Sequence, residues 1–125
     1  MKGIRLSLLI IASLLIASCS KLDMEFLVNT YWTGTMTSSD APEMSSDLSF
    51  EFDKGKADFT YLPYGEQYPE KGVMLYSISD GKMTIQSANE ILDGVWNISK
   101  ENNKTLYMTQ TADGKTFTIR LDKRR

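Results

Sequence analysis

The chain has 125 residues, with 14 Lys or Arg, 16 Asp or Glu, no His and a formal charge of −2. That length allows one domain, and the missing histidine removes the commonest general base and neutral-pH metal ligand. A single cysteine excludes an internal disulfide, and the mildly acidic balance argues against nucleic acid, which attracts concentrated positive charge.

The first element is a targeting segment. Lys2 and Arg5 precede an unbroken run of Leu, Ile, Ala and Ser from Leu6 to Ala17. The run fits a signal-peptide core of roughly 7–15 residues and falls short of the ~20 needed to span a bilayer. Ile16-Ala17-Ser18-Cys19 closes it and resembles the bacterial lipobox, an aliphatic residue and two small ones before Cys. The thiol accepts a diacylglyceryl group, and small residues let a peptidase reach the backbone. The resemblance implies that residues 1–18 are a removed signal peptide and that Cys19 becomes a lipidated N-terminus. One acyl chain anchors a protein only marginally, whereas several hold it in place.

Ser18-Cys19-Ser20-Lys21 is also similar to the cleavage region of lipoproteins from Bacteroides-type bacteria. The resemblance implies an outer-membrane envelope protein. Asp23 and Glu25 are too far apart to form the acidic surface-export signal of that group, so the periplasmic face and the cell surface both stay open. Residues 19–25 are expected to form a polar, lipid-anchored tether and 26–125 a β domain.

Met24-Glu25-Phe26-Leu27-Val28 predicts one helical turn. From Thr30 onward, short alternating runs recur at roughly 8–12-residue spacing, the rhythm of a small barrel or sandwich. Thr30 to Thr37 is the first run, and the Ser, Asp and Pro of residues 38–47 predict a loop. Leu48, Phe50 and Phe52 alternate with Ser49, Glu51 and Asp53 as a half-buried strand. A turn at Asp53-Lys54-Gly55-Lys56 leads to Ala57, Phe59 and Tyr61. Leu62 to Gly72 reads as a long loop. Val73 to Ser79 is apolar on both faces, which predicts a strand covered on both sides. Asp80-Gly81 is a hairpin signal, and Met83 and Ile85 mark the fifth strand. Ser87 to Asp93 is a connection. Trp96 and Ile98 mark the sixth strand and Leu106 and Met108 the seventh, with a turn at Asn102-Asn103. After Asp113-Gly114, Phe117, Ile119 and Leu121 alternate with Thr116, Thr118 and Arg120.

The fold class is therefore all-β. An antiparallel up-and-down β-barrel of about eight short strands is expected, because closure removes exposed edges; a two-sheet antiparallel sandwich is the alternative.

Leu22 to Leu27, followed by Asn29-Thr30-Tyr31-Trp32-Thr33-Gly34-Thr35, is similar to the opening of lipocalin-like domains. There a helical turn leads into a first strand whose Trp packs at the closed barrel end under an Arg from the last strand. The resemblance implies that Trp32 and Arg120 form a structural barrel-end pair. The sequence departs from the family at Thr30, where a Gly is usual, and is shorter than a full lipocalin. It looks more like the small lipocalin-like lipoproteins of Bacteroides-type bacteria.

The expected inward set is Trp32, Phe50, Phe52, Phe59, Trp96, Leu106, Met108, Phe117 and Ile119. An eight-stranded barrel is filled by such side chains or holds one small ligand. The loop 62–71 is stiffened by Pro and Gly. With its neighbours it offers Tyr61, Tyr64, Tyr68 and Tyr76 as a possible binding surface, since Tyr combines contact area with a hydroxyl. Glu51 and Asp53 share a strand face, and Asp58 lies across the hairpin. Paired carboxylates are the chemistry of glycoside hydrolysis or calcium binding, but alternation places these in solvent. Asp40, Glu43 and Asp47 lack calcium-loop spacing. Asn97-Ile98-Ser99 and Asn103-Lys104-Thr105 match glycosylation sequons by chance in a bacterial lipoprotein, and the tail Lys123-Arg124-Arg125 reads as a solvated chain end.

No phosphate loop, nucleophile motif or metal cluster appears, so no catalytic, cofactor or metal residue is expected. The sequence points to a membrane-anchored, non-catalytic envelope lipoprotein that binds a small apolar molecule, a glycan or an envelope protein. An inhibitor or assembly subunit acting through the 62–71 loop and the sheet surface is the second reading, and a carboxylate-dependent hydrolase the third. Oligomeric state is not encoded in any of these patterns.

Overall fold

A computed structural model describes residues 22–125. The expected signal peptide, the expected lipidation site Cys19 and the start of the expected tether lie outside the described residues.

Eight antiparallel strands form a closed barrel in sequence order. They are β1 (Thr30–Ser38), β2 (Ala41–Phe52), β3 (Lys56–Leu62), β4 (Glu70–Ser79), β5 (Lys82–Gln86), β6 (Gly94–Asn102), β7 (Thr105–Ala112) and β8 (Lys115–Lys123). β8 returns to pair with β1, with Gly34 opposite Leu121 and Met36 opposite Ile119. The barrel, not the sandwich, is therefore the architecture. One short helix, α1 (Met24–Leu27), precedes β1, and the Asp23 carboxylate caps it by accepting a 3.1 Å hydrogen bond from the Phe26 amide. Asn29 ends the helix in the left-handed region at φ 63°, a role for which Asn is suited.

The hairpins Asp80-Gly81 and Asp113-Gly114 have positive φ at both positions, the twist that matches paired strands. Gly34 meets a different demand. A Cβ there would lie 1.7 Å from the Arg120 carbonyl oxygen, so β1 passes β8 at a separation only glycine permits.

Four expectations are corrected. The expected 62–72 loop shortens to residues 63–69, because β3 runs through Leu62 and β4 begins at Glu70. Leu22 is buried in the core and Asp23 caps the helix, so the fold takes up residues 22–25 that were expected to belong to the tether. The 38–47 loop contracts to a turn at residues 39–40. β2 starts at Ala41, and the register breaks between Met36 and Ser38. Residues 42–45 are all exposed, which is why no alternation marks them as strand. Finally, β4 is covered on one side only. Met74 and Tyr76 face inward, whereas Val73 and Leu75 are 58% and 54% exposed.

The barrel has two distinct ends. α1, the turns at 53–55, 80–81 and 103–104, and the chain end Arg124-Arg125 gather at one. The turns at 39–40 and 113–114 and the longer connections 63–69 and 87–93 gather at the other.

Candidate functional site

The barrel interior is occupied by its own side chains. Trp32, Trp96, Phe50, Phe52, Met74, Met83, Leu106, Met108 and Ile119 are fully buried, as inward-facing strand positions require. Phe117 is only partly buried and packs at the edge of this core. Burying each large apolar side chain contributes roughly 1.5–3 kcal/mol, so the filled interior is the main source of stability. Every buried side-chain nitrogen or oxygen among the described residues has a hydrogen-bond partner.

Both ends are closed. At the first end α1 inserts fully buried Leu27, and the Phe26 ring lies 6.0 Å from the Trp32 indole. Trp32 donates from Nε1 to Thr30 Oγ1 at 2.7 Å, and the Thr30 hydroxyl donates to the Leu27 carbonyl. Thr30 thus stitches helix to indole, which gives this departure from the lipocalin pattern a structural purpose.

At the second end the connection 87–93 folds inward and fully buries Leu92. Asn89 organises it. Its Oδ1 accepts from the amides of Ile91 at 2.9 Å and Leu92 at 3.0 Å, and its Nδ2 donates to Glu70 at the start of β4. Trp96 Nε1 donates to the Leu92 carbonyl at 2.8 Å. Sequence reasoning took this stretch for a plain connection. The available signal was Ile91-Leu92, the one apolar pair in a polar segment.

The four tyrosines do not form one surface. Tyr61 is 8% exposed and Tyr76 4%, because both stand at inward positions of their strands. The Tyr76 hydroxyl donates to the Asp53 carbonyl at 2.6 Å, and burial raises its pKa above the ordinary 10.0. Tyr64 and Tyr68 are exposed, Tyr68 at 85%.

Trp32 and Arg120 do not pair either. Arg120 alternates with inward Ile119 and Leu121 and therefore faces outward. Its guanidinium lies 3.7 Å from Asp122 and 6.0 Å from the Tyr107 ring centre.

Six of the seven large exposed apolar residues lie between the β3–β4 connection and β6; the seventh, Met44, is on β2, whose Ser46 hydroxyl accepts from the Tyr64 amide. Tyr64, Tyr68, Val73 and Leu75 belong to the β3–β4 connection and β4, and Ile91 and Val95 to the 87–93 connection and β6. Only β5 separates the two strands, and it presents Thr84 and Gln86 outward, opposite Ser77 and Leu75. Val95 in turn stands opposite Thr84. The Asn89–Glu70 hydrogen bond ties the two connections together. Val73 and Leu75 have Asp58 and Lys56 opposite them on β3, so this flank sets exposed apolar side chains among polar and charged ones.

A groove of mixed character runs over β1, β2, β3 and β8, with Leu48, Leu62 and Pro69 among its lining. Thr33, Thr35, Ser49 and Thr60 line this groove of about 530 Å³ together with Asp47, Arg120, Asp122 and Arg124. Arg124 Nε donates to Thr33 Oγ1 at 2.7 Å. Glu51 stands directly opposite Asp58, as the hairpin reading expected, and Arg125 lies 3.4 Å from Glu51. Among the described residues no group of three His, Cys, Asp or Glu is placed to hold a metal ion.

The fold thus defines a filled, eight-stranded antiparallel barrel with most of its exposed apolar residues between the β3–β4 connection and β6. Compared with protein-family profiles and with curated proteins, the chain matches none.

Proposed function

We propose that the protein is an exported, lipid-anchored interaction domain of the bacterial envelope that acts without catalysis. Its anchor is Cys19, and its working surface is the apolar flank of Tyr64, Tyr68, Val73, Leu75, Ile91 and Val95. The address rests on the signal-like opening and the Ile16-Ala17-Ser18-Cys19 resemblance to a lipobox. Kinship with small lipocalin-like lipoproteins remains part of the same proposal, supported by the helical turn that leads into the Trp32 strand.

One observation carries the choice of surface over interior. The barrel is packed with large side chains and plugged at both ends, while six of its seven large exposed apolar residues lie between the β3–β4 connection and β6. Contiguous exposed apolar surface marks interaction sites. A second envelope protein is the partner chemistry this flank suits, with tyrosines supplying contact area and hydrogen bonds at low entropic cost.

The test places a photo-crosslinking residue at Leu75 in cells, with Thr35 on β1 as control. A discrete adduct at position 75, absent at 35 and lost when Val95→Glu is added, is the expected result. Equal labelling at both positions would exclude the flank as the working surface. Cys19→Ala tests the address, and a product that is still acylated or still cleaved after residue 18 would sink it.

A further inference from the structure

We infer that the α1 end of the barrel docks directly on the surface of an anionic phospholipid bilayer. The inference rests on the Cys19 anchor proposed above and adds an orientation to it.

The first observation is the length of chain available. Only Ser20 and Lys21 separate Cys19 from Leu22, which is already buried in the core. An extended chain covers at most about 3.6 Å per residue, so Cys19 and Leu22 are separated by roughly 11 Å at most. A lipid on Cys19 therefore holds this end of the barrel against the headgroups and leaves the body no length to turn over.

The second observation is charge. The α1 end, counted over residues 23–29, 53–56, 80–82, 100–104 and 123–125, carries eight Lys or Arg and five Asp or Glu, a side-chain net of +3. The opposite end, residues 39–47, 63–71, 87–93 and 113–115, carries two Lys and eight Asp or Glu, a net of −6. A body with this polarity near a negative surface is driven to present its α1 end.

The third observation is that these cations have few acidic partners. Of the eight, only Arg125 makes an ion pair among the described residues, with Glu51. Lys104, Lys123, Arg124 and Arg125 share a concavity of about 380 Å³ with Asn103 and no acid. The basic tail is not a loose solvated end as its sequence suggested. Tyr31 N donates to the Arg125 carbonyl at 3.0 Å, and the Arg124 and Lys123 amides donate to Tyr31 and Lys104 carbonyls at 2.7 and 2.8 Å. The fold thus fixes the backbone that carries these four cations beside one hollow, on the end the anchor holds down, while Arg124 also bonds Thr33 and Lys123 lies over Phe26.

The test uses the full lipoprotein, with acylation of Cys19 first verified by mass spectrometry. It is reconstituted into vesicles of phosphatidylcholine alone or with phosphatidylglycerol, and amide hydrogen exchange is followed by peptide. Amides at 100–104 and 123–125 should exchange more slowly on phosphatidylglycerol vesicles, while those at 113–115 stay unchanged. A cation near an anionic surface is worth about fivefold in occupancy, so Lys54→Glu with Lys104→Glu should lower the protection by an order of magnitude or more. Both side chains are exposed, so the variant keeps its fold, and the unchanged exchange of core amides verifies this. Acylated protein that exchanges equally on both vesicles overturns the docking alone. An unacylated Cys19 overturns the anchor and the docking with it.

Discussion

Lys123 stands directly opposite Trp32 in the β1–β8 ladder, with its ammonium 6.0 Å from the centre of the Phe26 ring that covers the indole. Lys100 approaches the same ring more closely, at 4.7 Å. The cation that the lipocalin resemblance assigned to Arg120 is therefore supplied at the barrel end by two lysines, acting through Phe26 instead of on Trp32 itself. Cation–ring contacts of this kind contribute about 0.5–1 kcal/mol when exposed. Lys100→Ala should accordingly cost up to about 1 kcal/mol in a background with Phe26 and almost nothing with Phe26→Leu. Urea unfolding of the four proteins in the cycle measures this coupling. Arg120→Ala, whose partners are all on the exposed wall, should stay within about 0.5 kcal/mol of wild type.

Gly34→Ala should be among the most damaging single changes in the barrel. The added methyl would meet the Arg120 carbonyl at 1.7 Å, and backbone on both sides is held by the ladder. Either β1 or β8 must move, breaking the closure, at a cost of about 3 kcal/mol or more. Gly72→Ala is the internal comparison. Its methyl meets only the Phe59 ring edge at 3.0 Å, a side chain that can shift, so the loss should be about half as large or less. Thermal melts of both variants rank them, and equal melting temperatures would contradict the close-approach argument.

The alternation of Leu48, Phe50 and Phe52 with polar neighbours, and the two Asp-Gly hairpins, made strand rhythm and barrel legible, because period-two burial and positive φ are local properties. Arg120 was misplaced although its own strand held the answer. It lies between Ile119 and Leu121, and their inward facing sends it out. Val73 and Leu75 were read as covered because apolar residues usually are, yet an exposed apolar flank looks the same in sequence as a buried face. Leu92 escaped because a plug is a tertiary event, set by Asn89 bonding Glu70 on the neighbouring β4.

Leu92→Ala should open the barrel end it plugs. Removing a fully buried Leu costs about 2–5 kcal/mol, and the cavity would sit beside Trp96, whose Nε1 bonds the Leu92 carbonyl. The variant should melt well below wild type and gain binding of a hydrophobic dye, with a change in tryptophan fluorescence. Asn89→Ala should have a similar effect without emptying the core, by releasing three side-chain hydrogen bonds. Dye binding by the wild-type protein at the level of Leu92→Ala would show that the interior is already accessible.

Alkaline pH should destabilise the barrel through Tyr76. Burial raises the folded pKa of this phenol above 10.0, so the folded state holds the proton longer than the unfolded chain does. The preference for the neutral form is fully present below pH 10.0 and is lost as pH rises through the folded pKa, because the unfolded state releases its proton first. Ionisation also takes away the proton that bonds the Asp53 carbonyl at 2.6 Å, leaving two oxygens to repel each other inside the β2–β3 turn. Tyr76→Phe should lower stability near neutrality by about 1 kcal/mol through loss of that bond and flatten the fall in stability above pH 10. Urea titrations at pH 8 and above 10 check both parts. An unchanged alkaline slope in Tyr76→Phe would mean that another group governs the loss.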